Sequence, residues 1–184
     1  GRKASNRMPA NVTDGRRKFG EFSREWMAHR QLAQRTQEGY EDLLKRFISD
    51  TFDDQPLNEI TGSMVRRWHA KLLKADDAAG RSHNQTAKSY RLLRAILATA
   101  VDDEVLARNP CKIPGAGKET PEERPIVEVA DVEALAEAMT ERLRALVYLA
   151  AYAGLRRGEL LGLRWRHIDL LHRKITEERQ AVKA

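Results

Sequence analysis

The feature that most limits what this chain can become is a break. Residues 113–125, IPGAGKETPEERP, carry Pro114, Gly115 and Gly117 near their start and Pro121 and Pro125 later. Proline lacks the amide that a helix or a central strand needs, and glycine is costly to hold in either, so no regular element crosses this stretch. The chain is therefore expected to fold as two units joined by a linker that can reach ~3.3 Å per residue. On either side the apolar residues recur at three- and four-residue spacing, the period of helices packed on one face.

In the first ninety or so residues this spacing predicts four helices. Phe19, Phe22, Trp26 and Met27 mark the first. Thr36 is the expected N-cap of a second, with Tyr40, Leu43, Leu44, Phe47 and Ile48 inward, and residues 51–58 then read as loop. Thr61 caps a third, carrying Met64, Val65, Trp68, Leu72 and Leu73 and ending before Asp76. The fourth runs from about Asn84 to Asp102 with Tyr90, Leu93, Leu97 and Val101 on one side. A four-helix unit of this size buries enough to fold alone. Beyond the break, a helix begins near Ala130 or Asp131, a second spans Glu141 to Tyr152 and stops at Gly154, and Lys174 begins as a strand.

Charge says less than its total suggests. The formal net charge is +6, but residues 1–18 alone hold Arg2, Lys3, Arg7, Arg16, Arg17 and Lys18 against Asp14. The remainder is nearly neutral, so nucleic-acid binding has to be argued from where the charges fall. The first eighteen residues read as a basic disordered tail or linker remnant. On the fourth helix Arg81, Asn84, Gln85, Lys88 and Arg91 form one basic and amide-bearing strip opposite the core face. Gln34, Arg35, Thr36 and Gln37 open the second helix as another patch of donors. Such side chains can hold phosphates, and the amides and arginines can read base edges. Arg66, Arg67, Lys71 and Lys74 on the third helix make a weaker case.

The single cysteine, Cys111, excludes an internal disulfide framework and fits a reducing cytoplasm; it reads as a packing residue. Five scattered histidines and no Cys/His ligand spacing argue against a metal site. No apolar run has membrane-spanning length. No cofactor is expected.

The most pointed chemistry lies in residues 154–169, GLRRGELLGLRWRHID. Two guanidiniums and a carboxylate sit at a turn between helices, with Glu159 three residues after Arg156, close enough to orient it. An always-charged, five-donor fork suits a phosphate. This string resembles the first conserved box of the tyrosine recombinases, the phage-type integrases. Position by position, Arg156 matches the first catalytic arginine, Glu159 the acidic residue supporting it, and Leu160, Leu163, Trp165 and Asp169 the packing frame. Ala153 stands where many members have threonine.

Residues 19–112, through YRLLRAILATAVDDEVLARNPC, likewise resemble the helical core-binding domain of these enzymes. The resemblance implies a mainly α chain: a four-helix SAM-like core-binding domain at 19–112, a linker at 113–125, and at 126–184 the N-terminal helical part of an α+β catalytic domain. It implies double-stranded DNA as partner, clamped between the two domains with the second- and fourth-helix strips facing it, and a chemistry in which a tyrosine attacks a phosphodiester to give a 3′-phosphotyrosyl link, without metal or nucleotide. The other catalytic groups lie downstream of this box in the family. The chain is accordingly expected to be a piece of a longer recombinase, binding DNA without cleaving it, monomeric where the parent forms homotetramers on paired sites. Tyr148 and Tyr152 precede Arg156 and read as core packing, not as the nucleophile. Two other readings stay open: a non-enzymatic helical DNA-binding regulator, and a helical protein-interaction scaffold.

Overall fold

The computed structural model describes residues 14–119 and 125–176. The chain divides into two compact units, the first ending at Glu122 and the second beginning at Glu123. Each is described by itself.

The first unit is helical. Helix α1 spans Phe19–Ala28 and α2 spans Gln34–Leu43; a π turn at Leu44–Ile48 leads directly into α3, Ser49–Phe52; α4 is Gly62–Ala78 and α5 is Asn84–Asp102. The core collects Phe19, Phe22 and Trp26 from α1, Leu43, Ile48 and Phe52 along α2 and α3, Val65 and Trp68 from α4, and Tyr90, Leu93, Ile96 and Leu97 from α5. The aromatic residues are thus mostly packing material. Phe52 meets the edge of Trp68 at 5.5 Å between ring centres and lies 6.0 Å from Phe19.

Three departures from the sequence reading have physical causes. First, the helical run that begins with α2 does not stop ahead of residue 51 but continues through the π turn and α3 to Phe52, because no proline or glycine follows Gly39 until Pro56. The π turn widens the helix by one residue, so the buried positions step from Leu43 to Ile48, five apart, and then to Phe52. It also brings the Phe47 carbonyl to the indole N–H of Trp68, which donates to it at 2.7 Å. Thr36, expected as the cap, lies in the first turn; Ala33 precedes the helix and no side chain caps it. Thr61 does cap α4, accepting the Met64 amide at 3.2 Å.

Second, α4 continues past Asp76, whose carboxylate is buried. The Thr86 hydroxyl donates to it at 2.6 Å and the Arg81 guanidinium lies 3.3 Å away. Third, the structured part begins earlier than residue 19. Asp14–Arg16 form a 3₁₀ turn, the Leu57 amide donates to the Arg17 carbonyl at 3.0 Å, and Lys18 pairs in a β-bridge with Pro56. Residues 1–13 of the expected tail lie outside the described residues.

The expected linker is also not free along its described length. Ile113–Glu119 lies against α5: the Tyr90 hydroxyl accepts the Ile113 amide at 2.8 Å, and Arg91 donates to the Gly117 carbonyl at 3.0 Å. A Cβ at residue 117 would come within 2.9 Å of Arg91 Cγ, so the backbone can run along that side chain only because the residue is glycine.

The second unit holds α6, Val129–Ala138, α7, Glu141–Tyr152, and α8, Arg157–Gly162, then a 3₁₀ turn at Trp165–His167 and an antiparallel pair, Ile168–Asp169 with Lys174–Ile175. Its small core is Val132, Ala136 and Val147, with Met139 and Tyr148 against it. Gly154 takes φ +65°, the left-handed conformation that ends α7 and turns the chain into α8.

Candidate nucleic-acid interface and the Arg156 turn

In the first unit, α2 and α5 flank an open cleft of about 750 Å³, lined by Thr36, Gly39, Tyr40, Asp42 and Leu43 from one side and Gln85, Lys88, Arg91, Leu92 and Ala95 from the other. Four residues singled out from two separate sequence patches therefore converge: Thr36 with Gln85, Lys88 and Arg91. The helical period explains the selection, since positions 85, 88, 92 and 95 share one face of α5 and positions 36, 39, 40 and 43 one face of α2.

The other candidates fall outside the cleft. Gln34 donates to Glu38 at 3.1 Å and Gln37 to Glu41 at 2.9 Å, each along its own helix surface. Arg35 is exposed on α2. Asn84 is half-buried at the start of α5. Arg81 stands at the α4–α5 turn, half exposed, against the buried Asp76.

Two residues bearing on this site were not visible from the sequence. Tyr40, read as core, is only half-buried; it lines the cleft and lies 6.1 Å from Trp26. Glu119, read as linker, pairs with Arg91 and lies 3.7 Å from Lys88 Nζ. Hydrogen bonding from Arg91 holds the Glu119 carboxyl below the usual carboxylate range, burial opposing and the Arg91 and Lys88 charges reinforcing. Periodicity places Tyr40 on its helix face but not beside α5, and it says nothing of Glu119, because both depend on which segment folds back on which.

In the second unit, Arg156 is the residue just ahead of α8 and Glu159 its third residue. Glu159 is 6% exposed and accepts the Arg156 backbone amide at 2.6 Å and its guanidinium at 3.2 Å. The carboxylate thus closes the helix start and tethers the side chain together. The Arg156 side chain is 81% exposed even so, which leaves it open on the side away from Glu159. That exposure suits a group meant to meet a ligand, and the buried acid holds its near side.

The packing frame is only partly as expected. Leu160 and Leu163 are half-buried, but Trp165 is 80% exposed and Asp169 is at the surface, capping the turn to His172, whose amide it accepts at 3.0 Å. The buried residue of this segment is His167, whose Nδ1 accepts the Arg164 amide at 3.2 Å. Ala153, in the place where many members have threonine, is exposed. Tyr148 is half-buried, and its hydroxyl donates to Glu133 at 2.8 Å, which raises its pKa. Tyr152 stacks on Tyr148 but is largely exposed, correcting its assignment to the core.

Among the described residues, no group of three or more Cys, His, Asp or Glu side chains is placed to hold a metal ion, and no helix is long and apolar enough to cross a membrane.

Residues 18–73 match the family described as the phage integrase N-terminal SAM-like domain. The chain is 38% identical over 166 residues to the putative prophage phiRv2 integrase of Mycobacterium tuberculosis strain H37Rv, covering 89% of this chain and 42% of that protein. It is 32% identical over 157 residues to the integrase of Mycobacterium phage L5, covering 80% and 38%. It thus spans less than half the length of these curated relatives. Among solved structures, the Tn1549 transposon integrase in complex with circular intermediate DNA superposes with a TM-score of 0.74 at 20% identity, over 89% of this chain and 54% of that one. A lambda integrase dimer bound to a COC′ core site gives 0.70 at 20% identity, over 85% and 45%.

Proposed function

Taking as premise that this chain belongs to the tyrosine recombinase family of phage-type integrases, we propose that its first unit binds duplex DNA through the α2–α5 cleft and that Arg156 is the arginine that receives the scissile phosphate. The observation that carries the first half is the convergence of Thr36, Gln85, Lys88 and Arg91, from two helices, on one open cleft. Lys88 and Arg91 supply phosphate contacts, and Gln85 and Thr36 supply hydrogen-bonding groups that can meet bases or backbone. For the second half, the buried Glu159 leaves Arg156 tethered on one side and open on the other. Such a donor stabilises charge developing on a phosphodiester during transfer.

In the recombinases the resemblance points to, strand cleavage is attack by a tyrosine, and double-stranded attachment-site DNA held by a homotetramer is the substrate. None of the four tyrosines here is suited to that role. Tyr90 is buried, Tyr40 packs near Trp26, Tyr148 is bound to Glu133 and Tyr152 is stacked on it. These 184 residues are accordingly read as binding DNA without cutting it.

The test is a labelled duplex titrated against the chain at several salt concentrations. Neutralising Lys88 and Arg91 together should weaken binding and flatten its dependence on salt by about one to two in slope, because each phosphate contact releases counterions. Unchanged affinity and slope would remove the cleft from the interface. In a polypeptide of the relatives' full length, Arg156→Ala should cut strand cleavage by ~10²–10³ or more while leaving duplex binding in place.

A further inference from the structure

The two cations best placed in the cleft are already engaged by an anion from the chain itself. Arg91 divides its guanidinium between the Gly117 carbonyl, at 3.0 Å, and the Glu119 carboxylate; Lys88 Nζ stands 3.7 Å from the same carboxylate. A carboxylate offers a guanidinium and an ammonium the same acceptor oxygens as a phosphodiester. Glu119 therefore occupies the position that a backbone phosphate would need in order to use both groups.

The segment bearing it is seated by more than charge. Cys111 is buried at its root, Tyr90 accepts the Ile113 amide, and the Lys118 amide closes a turn onto the Gly115 carbonyl at 2.8 Å. Gly117 lets the backbone lie against Arg91. Beyond this seat, among the described residues, the carboxylate is held by the half-exposed Arg91 and Lys88 side chains, and pairs this open to solvent are weak enough to exchange.

We propose that Glu119 is an intramolecular stand-in for a DNA phosphate, seated between Lys88 and Arg91, and that duplex binding has to displace it. This rests on the reading of the α2–α5 cleft as a DNA-binding surface. Its consequence is a chain whose affinity for any duplex is held down by its own strap. Contacts that pull residues 113–119 off α5 would raise affinity without touching the DNA-facing helices.

The experiment is a set of duplex-binding isotherms, read by fluorescence anisotropy over a salt series, for the whole chain and four variants. Glu119→Gln should bind about threefold to tenfold more tightly than the parent chain, as expected for releasing two exposed pairs. Its salt dependence should stay within about one in slope of the parent chain's, because the same phosphates are contacted once the carboxylate is out of the way. The exposed Glu104, just past the end of α5, serves as a control for bulk charge, and Glu104→Gln should leave affinity nearly unchanged. K88Q/R91Q should bind more weakly, and adding Glu119→Gln to it should restore nothing. If K88Q/R91Q weakens binding while Glu119→Gln is neutral or harmful, the carboxylate orients the cations and the inference is wrong, the cleft reading standing. If Glu104→Gln tightens binding as much, or Glu119→Gln still tightens binding without Lys88 and Arg91, the effect is bulk charge and the inference is wrong. If K88Q/R91Q binds as the parent chain does, the cleft reading falls and takes this inference with it.

Discussion

Replacing Tyr90 by phenylalanine removes one oxygen and tests how the strap is held to the first unit. The Tyr90 side chain is 2% exposed, with its ring set against the edge of His69 at 5.6 Å, so phenylalanine fits the same space. What is lost is the acceptor of the Ile113 amide at 2.8 Å; the donation from the same hydroxyl to the Ile113 carbonyl, at 3.4 Å, adds little. A buried amide left without a partner costs roughly 1–3 kcal/mol. Ile113 is only half-buried, so the strap can lift and let water reach the amide, which places the expected loss in the lower part of that range, about 1–2 kcal/mol. For a unit of about a hundred residues this lowers Tm by roughly 4–8 °C per kcal/mol. Thermal and urea unfolding of both chains measures the difference, and hydrogen exchange at the Ile113 amide locates it. A loss under ~0.3 kcal/mol with Ile113 protection unchanged would show that the hydroxyl does not anchor the strap, since additivity errors alone reach that size.

Three further outcomes follow from local geometry. Thr61→Ala removes the side-chain cap of α4 and should cost about 1 kcal/mol in urea unfolding; Thr61→Ser, which keeps the oxygen, should cost much less. Burial pushes the Cys111 thiol up to about 12, so a thiol reagent at pH ~8 should label it about 10³-fold more slowly than an exposed cysteine, and at the ordinary rate once urea unfolds the chain. Rapid labelling of the folded chain would contradict the packing around it.

Burial holds the His69 imidazole below its ordinary value of 6.5, a hydrogen bond to the Ala116 backbone opposing and the His83 charge reinforcing. The unfolded chain then takes up this proton at a higher pH than the folded one. Stability should therefore be level above the ordinary histidine range and decline as pH falls through it, until the folded site also protonates. Comparing unfolding free energies at pH ~7.5 and ~5.5 should show a smaller decline in His69→Gln than in the parent chain.

Much of the helical layout was legible because it follows from local chemistry. Asn84–Asp102 and Glu141–Tyr152 begin and end where period and flanking residues place them, and Thr61 and Gly154 cap and close as their types dictate. The misreadings lie where distant groups decide. Nothing in SDTFDDQ reveals that the helix leaving Leu44 will widen by a π turn and carry Phe52 to the core, since the reward is Trp68 reaching a carbonyl twenty-one residues away. Asp76 looked like the start of a loop because aspartate is seldom buried; Thr86 and Arg81, on and before the next helix, make its burial tolerable. The resembling box puts Trp165 in the packing frame, yet it stands exposed while His167 is buried.

The candidate sites divide in the same way. Arg156 and Glu159 were readable as a pair because one helical turn separates them, and that spacing is a property of the chain alone. Which of the eleven candidate side chains share a surface was not readable, because helical phase says which way a residue points relative to its own axis and nothing about which other helix lies opposite. Tertiary packing brought Thr36 to Gln85, Lys88 and Arg91, and it alone laid Glu119 across the last two. Sequence by itself determined most of the helices and the chemical kinds of group available; the folded packing decided which of those groups meet, because contacts between residues about thirty to fifty-five positions apart are selected by the whole core and not by any local pattern.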